Sequence, residues 1–277
     1  MTMSDTNTDL NVLLDINERG VATVTINRPE KHNAFDDTVI ADLTRAFTEV
    51  ANNPKARVLI LASNGKSFSA GADLGWMKRM ASYSYEENLT DAEALAEMLR
   101  VLNFMPIPTI AKVQGAAFGG AVGLVACCDM AIASNRASFS LSEVKLGLIP
   151  ATISPYVIDA IGARASRRLF QTAERFSAEL AQQLNLVSDI VEPEQLDAQV
   201  EVMVTALLAN GPSAMAQAKQ LVFDVQGQAI TPELIHETSK RIAAIRVSEE
   251  GQEGLGAFFD KRPARWVAQI NTATKDA

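Results

Sequence analysis

Histidine and cysteine are scarce in this 277-residue chain, two of each, and their scarcity argues against a zinc site. There is no H-E-x-x-H and no C-x-x-C, so a zinc site has no ligand set to draw on. No G-x-S-x-G elbow is present, and neither histidine has an evident serine partner. His236 falls in a polar helical stretch and reads as solvated; His32 follows Lys31 in a polar loop, where ligand contact is the lesser of the two readings. Cys127 and Cys128 are adjacent in an apolar run. Disulfide geometry needs separated, facing Cβ atoms, so they read as two small buried residues in a reducing compartment.

Positive charge is also short. The formal net charge is −8 and no basic stripe runs along the chain, which argues against nucleic acid as a partner. Long apolar runs are missing too. The uncharged stretches 113–128 and 202–218 are interrupted, one by glycines and the other by Asn210-Gly211-Pro212, and neither reaches the ~18 residues of a membrane span. Residues 1–9 read as a polar tail without the apolar centre of a signal peptide. A folded, cytoplasmic protein that leaves the membrane alone is expected.

What is present is an alternation of strands and helices. Asn11–Ile16 and Val21–Asn27 flank Glu18-Arg19-Gly20 as a hairpin. Apolar residues recur at helical spacing over 36–51. Arg57–Ala62 is a strand, helical segments run to about residue 103, and Pro106 and Pro108 end them. Thr109–Val113, Met130–Ala133 and Ser138–Leu141 are further strands. After Pro150 the pattern turns helical, with helices over 158–170 and 178–184, a short strand near 186–191, and three or four helices over 194–260. The alternation predicts a layered α/β core with parallel strands over residues 1–200, followed by a helical region, 201–277.

Two imitations of nucleotide motifs fail. Gly65-Lys66-Ser67 has Ile60 where a phosphate loop needs its first glycine, and the 115–123 segment lacks G-x-G-x-x-G spacing. Two glycine-rich turns remain, Ser69-Ala70-Gly71-Ala72-Asp73-Leu74 and Gly115-Ala116-Ala117-Phe118-Gly119-Gly120-Ala121, each after an apolar strand and before a helix N-terminus. Backbone N–H groups are unpaired at such termini, and one donor from each turn forms an oxyanion hole.

These turns, with Phe139-Ser140-Leu141-Ser142-Glu143-Val144-Lys145-Leu146-Gly147, resemble the enoyl-CoA hydratase/isomerase (crotonase) family. The resemblance runs from Asn27-Arg28-Pro29-Glu30 to the Phe258–Arg262 tail. It implies repeated ββα units and a C-terminal helical region that builds a homotrimer or a hexamer of two trimers. It places the N–H groups of Ala72 and Gly120 on the thioester oxygen of an acyl-CoA, and Glu143 as the acid/base. It sets Lys31, Ala34, Ala70, Ala72, Asp73 and Leu74 along the CoA moiety, with Lys261 and Phe258 reaching the CoA of a neighbouring subunit. It implies no metal and no redox cofactor; CoA comes as part of the substrate.

Family hydratases use two glutamates, and the first is expected three residues after Gly120, where this chain has Gly123. Three outcomes follow. Glu143 alone serves, as in family isomerases; or water is added with another side chain or a substrate carboxylate in the missing role; or the enolate is used otherwise, as in decarboxylation. A noncatalytic CoA-binding homologue is the alternative from outside enzymology. The stretches 76–80, 118–129 and 148–156 are similar to bacterial methylglutaconyl-CoA hydratases of leucine breakdown and to isohexenylglutaconyl-CoA hydratases. Both imply a carboxylated, branched acyl group, to be met by a basic residue, with Lys78, Arg79 and Lys145 as candidates.

Overall fold

The computed structural model describes residues 10–267, so the expected polar tail, residues 1–9, lies outside the described residues. The chain opens with the hairpin β1 (Val12–Ile16) and β2 (Val21–Ile26), then α1 (Asp37–Asn52) and β3 (Val58–Ser63). Next come α2 (Leu74–Met80), α3 (Tyr85–Asn103), β4 (Thr109–Val113), β5 (Ala116–Phe118) and α4 (Gly120–Cys127). Strands β6 (Met130–Ser134) and β7 (Ser138–Ser140) lead to α5 (Ser154–Thr172), β8 (Phe176–Ser177), α6 (Ala178–Gln183) and β9 (Asp189–Val191). The chain continues through α7 (Leu196–Leu208), α8 (Pro212–Val225), α9 (Pro232–Val247) and α10 (Glu249–Phe259).

The main sheet has the order β1-β2-β3-β4-β6-β9, antiparallel between β1 and β2 and parallel from there on. Strand side chains alternate between faces, and both faces are covered. Ala22, Val24, Leu59, Leu61, Ala111 and Ala133 pack with α1 and α3. Val21, Val58, Ile110 and Ile132 point the other way, onto Leu196, Val200, Val204 and Leu208 of α7. Burial on both sides is why these strands read as continuous apolar runs. Residue 200 lies inside α7, so this helix belongs to the layer that covers the sheet. No helix among the described residues is long and apolar enough to cross a membrane.

A small second sheet, β5-β7-β8, carries the second glycine-rich turn. The sequence pattern shows 116–118 only as turn, because a three-residue strand flanked by glycines has no periodicity to read. Helix α5 starts four residues before the apolar pattern and is broken at Gly162 (φ 77°, ψ 155°), a backbone state open to glycine.

The C-terminal helices are tied to the core by charge. The Asp129 carboxylate accepts from the Thr109 N–H (2.8 Å), the Thr109 hydroxyl (3.0 Å) and the Lys219 ammonium on α8 (2.8 Å). Replacing Asp129 by Ala leaves the Thr109 N–H without its acceptor and the mostly buried Lys219 ammonium with only a long contact to the Ile107 carbonyl (3.4 Å), at about 1–3 kcal/mol for each buried group left unsatisfied. D129A is expected to lose about 2–4 kcal/mol in total, read as a lower urea midpoint; an unchanged midpoint refutes the tie.

Candidate active site

The loop 28–35 is the first wall. Arg28 is buried, and its guanidinium donates to the Ala34 carbonyl (3.0 Å) and to Asp36 (2.9 Å). Asn33, fully buried with φ 56°, donates from its amide to the carbonyls of Asn64 (2.6 Å) and Ser67 (2.8 Å). These two residues hold the loop that carries Lys31, His32 and Ala34. Neither stood out in the sequence, because a buried arginine or asparagine has no local signature.

The loop then hydrogen-bonds the first glycine-rich turn. Phe35 N–H donates to the Gly71 carbonyl (2.9 Å) and Asp73 N–H to the Phe35 carbonyl (3.0 Å), so the N–H of Ala72 between them points the other way. The first turn also pairs with the second: Ser69 N–H donates to Ala116 (3.0 Å) and Phe118 N–H to Ser69 (3.0 Å). A Cβ on Gly71, which has φ 89°, would stand 2.8 Å from the Phe118 carbonyl oxygen. The close approach of the two turns therefore requires glycine there. Gly120 is the first residue of α4, where helical N–H groups have no intrahelical partner. Among the described residues neither the Ala72 nor the Gly120 N–H has a protein acceptor, and both residues line one cavity of about 590 Å³.

Glu143 lines the same cavity. It opens a single 3-10 turn, Glu143–Leu146, closed by Gly147 in the left-handed conformation. A Cβ on Gly119 (φ 54°) would come within 3.2 Å of Glu143 Oε1, so the glycine makes room for the carboxyl beside the oxyanion turn. The other oxygen, Oε2, is buried and has no hydrogen-bond partner among the described residues. Burial pushes the carboxyl above its usual range, partly offset by the residue's own backbone N–H. A buried acceptor left unpaired is costly to the fold. Its place against a cavity with two free N–H donors is the arrangement of a proton-transfer centre.

The place three residues beyond Gly120 is filled. A Cβ on Gly123 would lie 2.8 Å from Ile153 Cβ, overlap Ile153 Cγ2, and touch Leu99. Ile153 lines the cavity, so its branched sec-butyl side chain stands where the family's first glutamate side chain would project.

Of the residues assigned to CoA, Asp73 caps α2, accepting from the N–H groups of Gly75 (2.8 Å) and Trp76 (3.1 Å), and lies 3.3 Å from Lys31 Nζ. Burial alone would raise its carboxyl, but these donors and the ammonium together hold it below the usual carboxylate range. Ala70 and Leu74 are exposed beside it, and Ala34 is buried under the loop. Lys261 is exposed just beyond α10, with φ 53°. It does not line the cavity. His32 Nδ1 is 3.4 Å from the Ser67 hydroxyl. Of the candidate bases, Arg79 is paired with Asp37 (2.6 Å), and Lys78 and Lys145 are exposed. Among the described residues no lysine or arginine lines the cavity. A second carboxyl does, Asp91 of α3, which the sequence reading passed over.

Residues 16–269 match the family model described as enoyl-CoA hydratase/isomerase. The chain belongs to the enoyl-CoA hydratase/isomerase family. It is an enzyme of that family, and its α/β fold is the crotonase fold. It is 48% identical to the crystal structure of an enoyl-CoA hydratase from Shewanella pealeana, with a TM-score of 0.90, covering 95% of this chain and 100% of that one. An enoyl-CoA hydratase structure from Mycobacterium smegmatis superposes with a TM-score of 0.87 at 32% identity, over 93% and 99% of the two chains. The crotonyl-CoA hydratase of Syntrophomonas wolfei is 29% identical over 94% of this chain and 98% of its own. Within the crotonase fold, the free N–H groups of Ala72 and Gly120 and the unpaired oxygen of Glu143 come from three separate segments and meet at one cavity.

Proposed function

We propose that the protein is an enoyl-CoA hydratase that adds water to a branched, carboxylated 2-enoyl-CoA of the methylglutaconyl-CoA type. The observation that carries the reading is the buried, unpartnered Glu143 Oε2 beside the two free backbone donors. As water adds at the β carbon, the thioester oxygen takes on negative charge. Donors from Ala72 and Gly120, fixed beforehand, stabilise that charge, at about 3 kcal/mol for each. Glu143 takes the proton from the attacking water and returns one to the α carbon. With the protons moved by Glu143, the wedge of Ile153 against Gly123 leaves the attacking water without a second protein carboxyl, which supports a substrate whose own carboxylate helps hold that water. CoA enters as part of the substrate, and the reading needs no metal or redox group. Exposed Phe258, Phe259 and Val247 on the C-terminal helices support self-association, which the reading takes as a trimer or hexamer.

The same wedge favours one second reading, an enoyl-CoA isomerase in which Glu143 moves a single proton out and back. Absorbance of the conjugated thioester separates the two. Rapid loss with 3-methylglutaconyl-CoA and slow loss with crotonyl-CoA is expected. Fast hydration of crotonyl-CoA removes the need for a substrate carboxylate. No loss with either, and a gain of absorbance from a 3-enoyl-CoA, replaces hydration by isomerisation.

A further inference from the structure

Asn88, Asp91, Ala92 and Leu95 stand at helical spacing on the face of α3 that lines the cavity. Asp91 is held in place: the indole Nε1–H of Trp76, a residue only 3% exposed, donates to its Oδ1 at 3.0 Å. Its Oδ2 has no protein hydrogen-bond partner among the described residues. The Asn88 amide does not serve it, being turned back to the carbonyls of Met80, Tyr83 and Ser84. The cavity is otherwise mostly apolar, with Leu95, Leu148, Ile149 and Ile153 on its walls. A hydrocarbon acyl tail would desolvate the Asp91 carboxyl without replacing its water. A polar acyl end has a partner waiting.

We infer that Asp91 is a specificity-determining residue that receives the carboxyl group of the acyl chain, the two groups sharing one proton. This deepens the hydratase reading and rests on it. Two ionised carboxylates at this distance repel; with one proton between them they form a short O–H···O⁻ bond and carry a single negative charge. The surroundings favour keeping that proton. Burial raises the Asp91 carboxyl, the Trp76 N–H works against this, Asp37 at the start of α1 raises it further, and Arg79 of α2 lowers it. Arg79 is itself engaged with Asp37, and Glu143 on the remaining wall is another acid. The pair therefore stands in for the basic residue expected from the sequence.

The test measures kcat and KM for 3-methylglutaconyl-CoA and crotonyl-CoA between pH 6 and 9 with wild type, Asp91→Asn and Asp91→Leu. In wild type the KM for the carboxylated substrate should rise at least 10-fold with pH, as the shared proton is lost, while that for crotonyl-CoA stays level. Asp91→Asn keeps an acceptor for Trp76 and offers an N–H to the substrate, so its KM should stay low and become independent of pH. Asp91→Leu should raise the KM for the carboxylated substrate at least 10-fold and leave crotonyl-CoA unaffected or bound more tightly. Wild type active on the carboxylated substrate, with both variants unchanged or both equally impaired, overturns the inference alone. Equal impairment of the two variants overturns it by pointing instead to an ionised Asp91 that accepts from a hydroxyl. Wild type active on crotonyl-CoA and inert towards 3-methylglutaconyl-CoA overturns the substrate reading, and the inference falls with it.

Discussion

Glu143→Gln is expected to lower kcat by about 10²–10⁴-fold, the range for removing a positioned acid/base, with little change in affinity for a saturated acyl-CoA. The amide keeps the size of the carboxyl and its contact with Gly119, so the cavity should persist. Two pH effects go with it. The Glu143 carboxyl is raised by burial, and water activation needs it ionised. Wild-type kcat/KM should therefore fall as the pH drops through an apparent pKa above the ordinary glutamate value of about 4.3. The second effect is on stability. A carboxyl raised in the folded state stabilises the fold while it is protonated, and that contribution is lost as the pH rises through the folded-state pKa. At neutral pH the wild type thus carries an unfavourable buried charge that Gln removes, and E143Q should melt at a higher temperature there, the gap closing in acid. Stopped-flow hydration and thermal melts across pH read both effects. A variant that keeps wild-type kcat would leave Glu143 without a catalytic part and move the acid/base role to another group at the cavity.

Much of the frame is legible in the sequence because the strands of the main sheet are buried on both faces. Val58–Ser63 and Thr109–Val113 are apolar runs for the same reason that α7 is needed on one side and α1 and α3 on the other. The two glycine-rich turns are legible because positive φ and backbone contact leave glycine as the residue of choice at Gly71 and Gly119. The end of the acyl cavity is a different matter. Asp91 belongs to a polar first half of α3, and only the approach of Trp76 from α2 makes it a wall of the cavity. Lys78, Arg79 and Lys145 illustrate the converse. Their charge matches a carboxylated substrate, but side-chain direction on α2 and on the turn after Glu143 sends them to solvent or to Asp37. Local sequence specifies a residue's type; which cavity it faces depends on segments far away in the chain.

The exchange of a glutamate for Gly123 and Ile153 sets the second large effect. Adding only a Cβ, Gly123→Ala, is expected to destabilise the protein by about 1–3 kcal/mol, since Ile153 and Leu99 are packed on both sides and cannot yield freely. Ile153→Ala alone costs about 2–5 kcal/mol for the cavity it opens. Together the two changes should cost less than their sum by about 1 kcal/mol or more, as expected for side chains competing for one space. The catalytic counterpart uses the same pair. In the Ile153→Ala background, Gly123→Glu has room to project beside Glu143, and crotonyl-CoA hydration should rise by about 10²-fold over the Ile153→Ala parent, the gain of one added acid/base. Gly123→Glu without the Ile153 change should fold poorly or gain nothing. Denaturant midpoints of wild type, Gly123→Ala, Ile153→Ala and their double variant, with crotonyl-CoA progress curves of Ile153→Ala, Gly123→Glu and the Gly123→Glu/Ile153→Ala double variant, decide it. Additive stabilities would show that Ile153 does not occupy the glutamate's place. A double variant that is folded yet inert towards crotonyl-CoA would mean that this site no longer accommodates a two-carboxylate mechanism, leaving the polar group on the substrate to hold the attacking water.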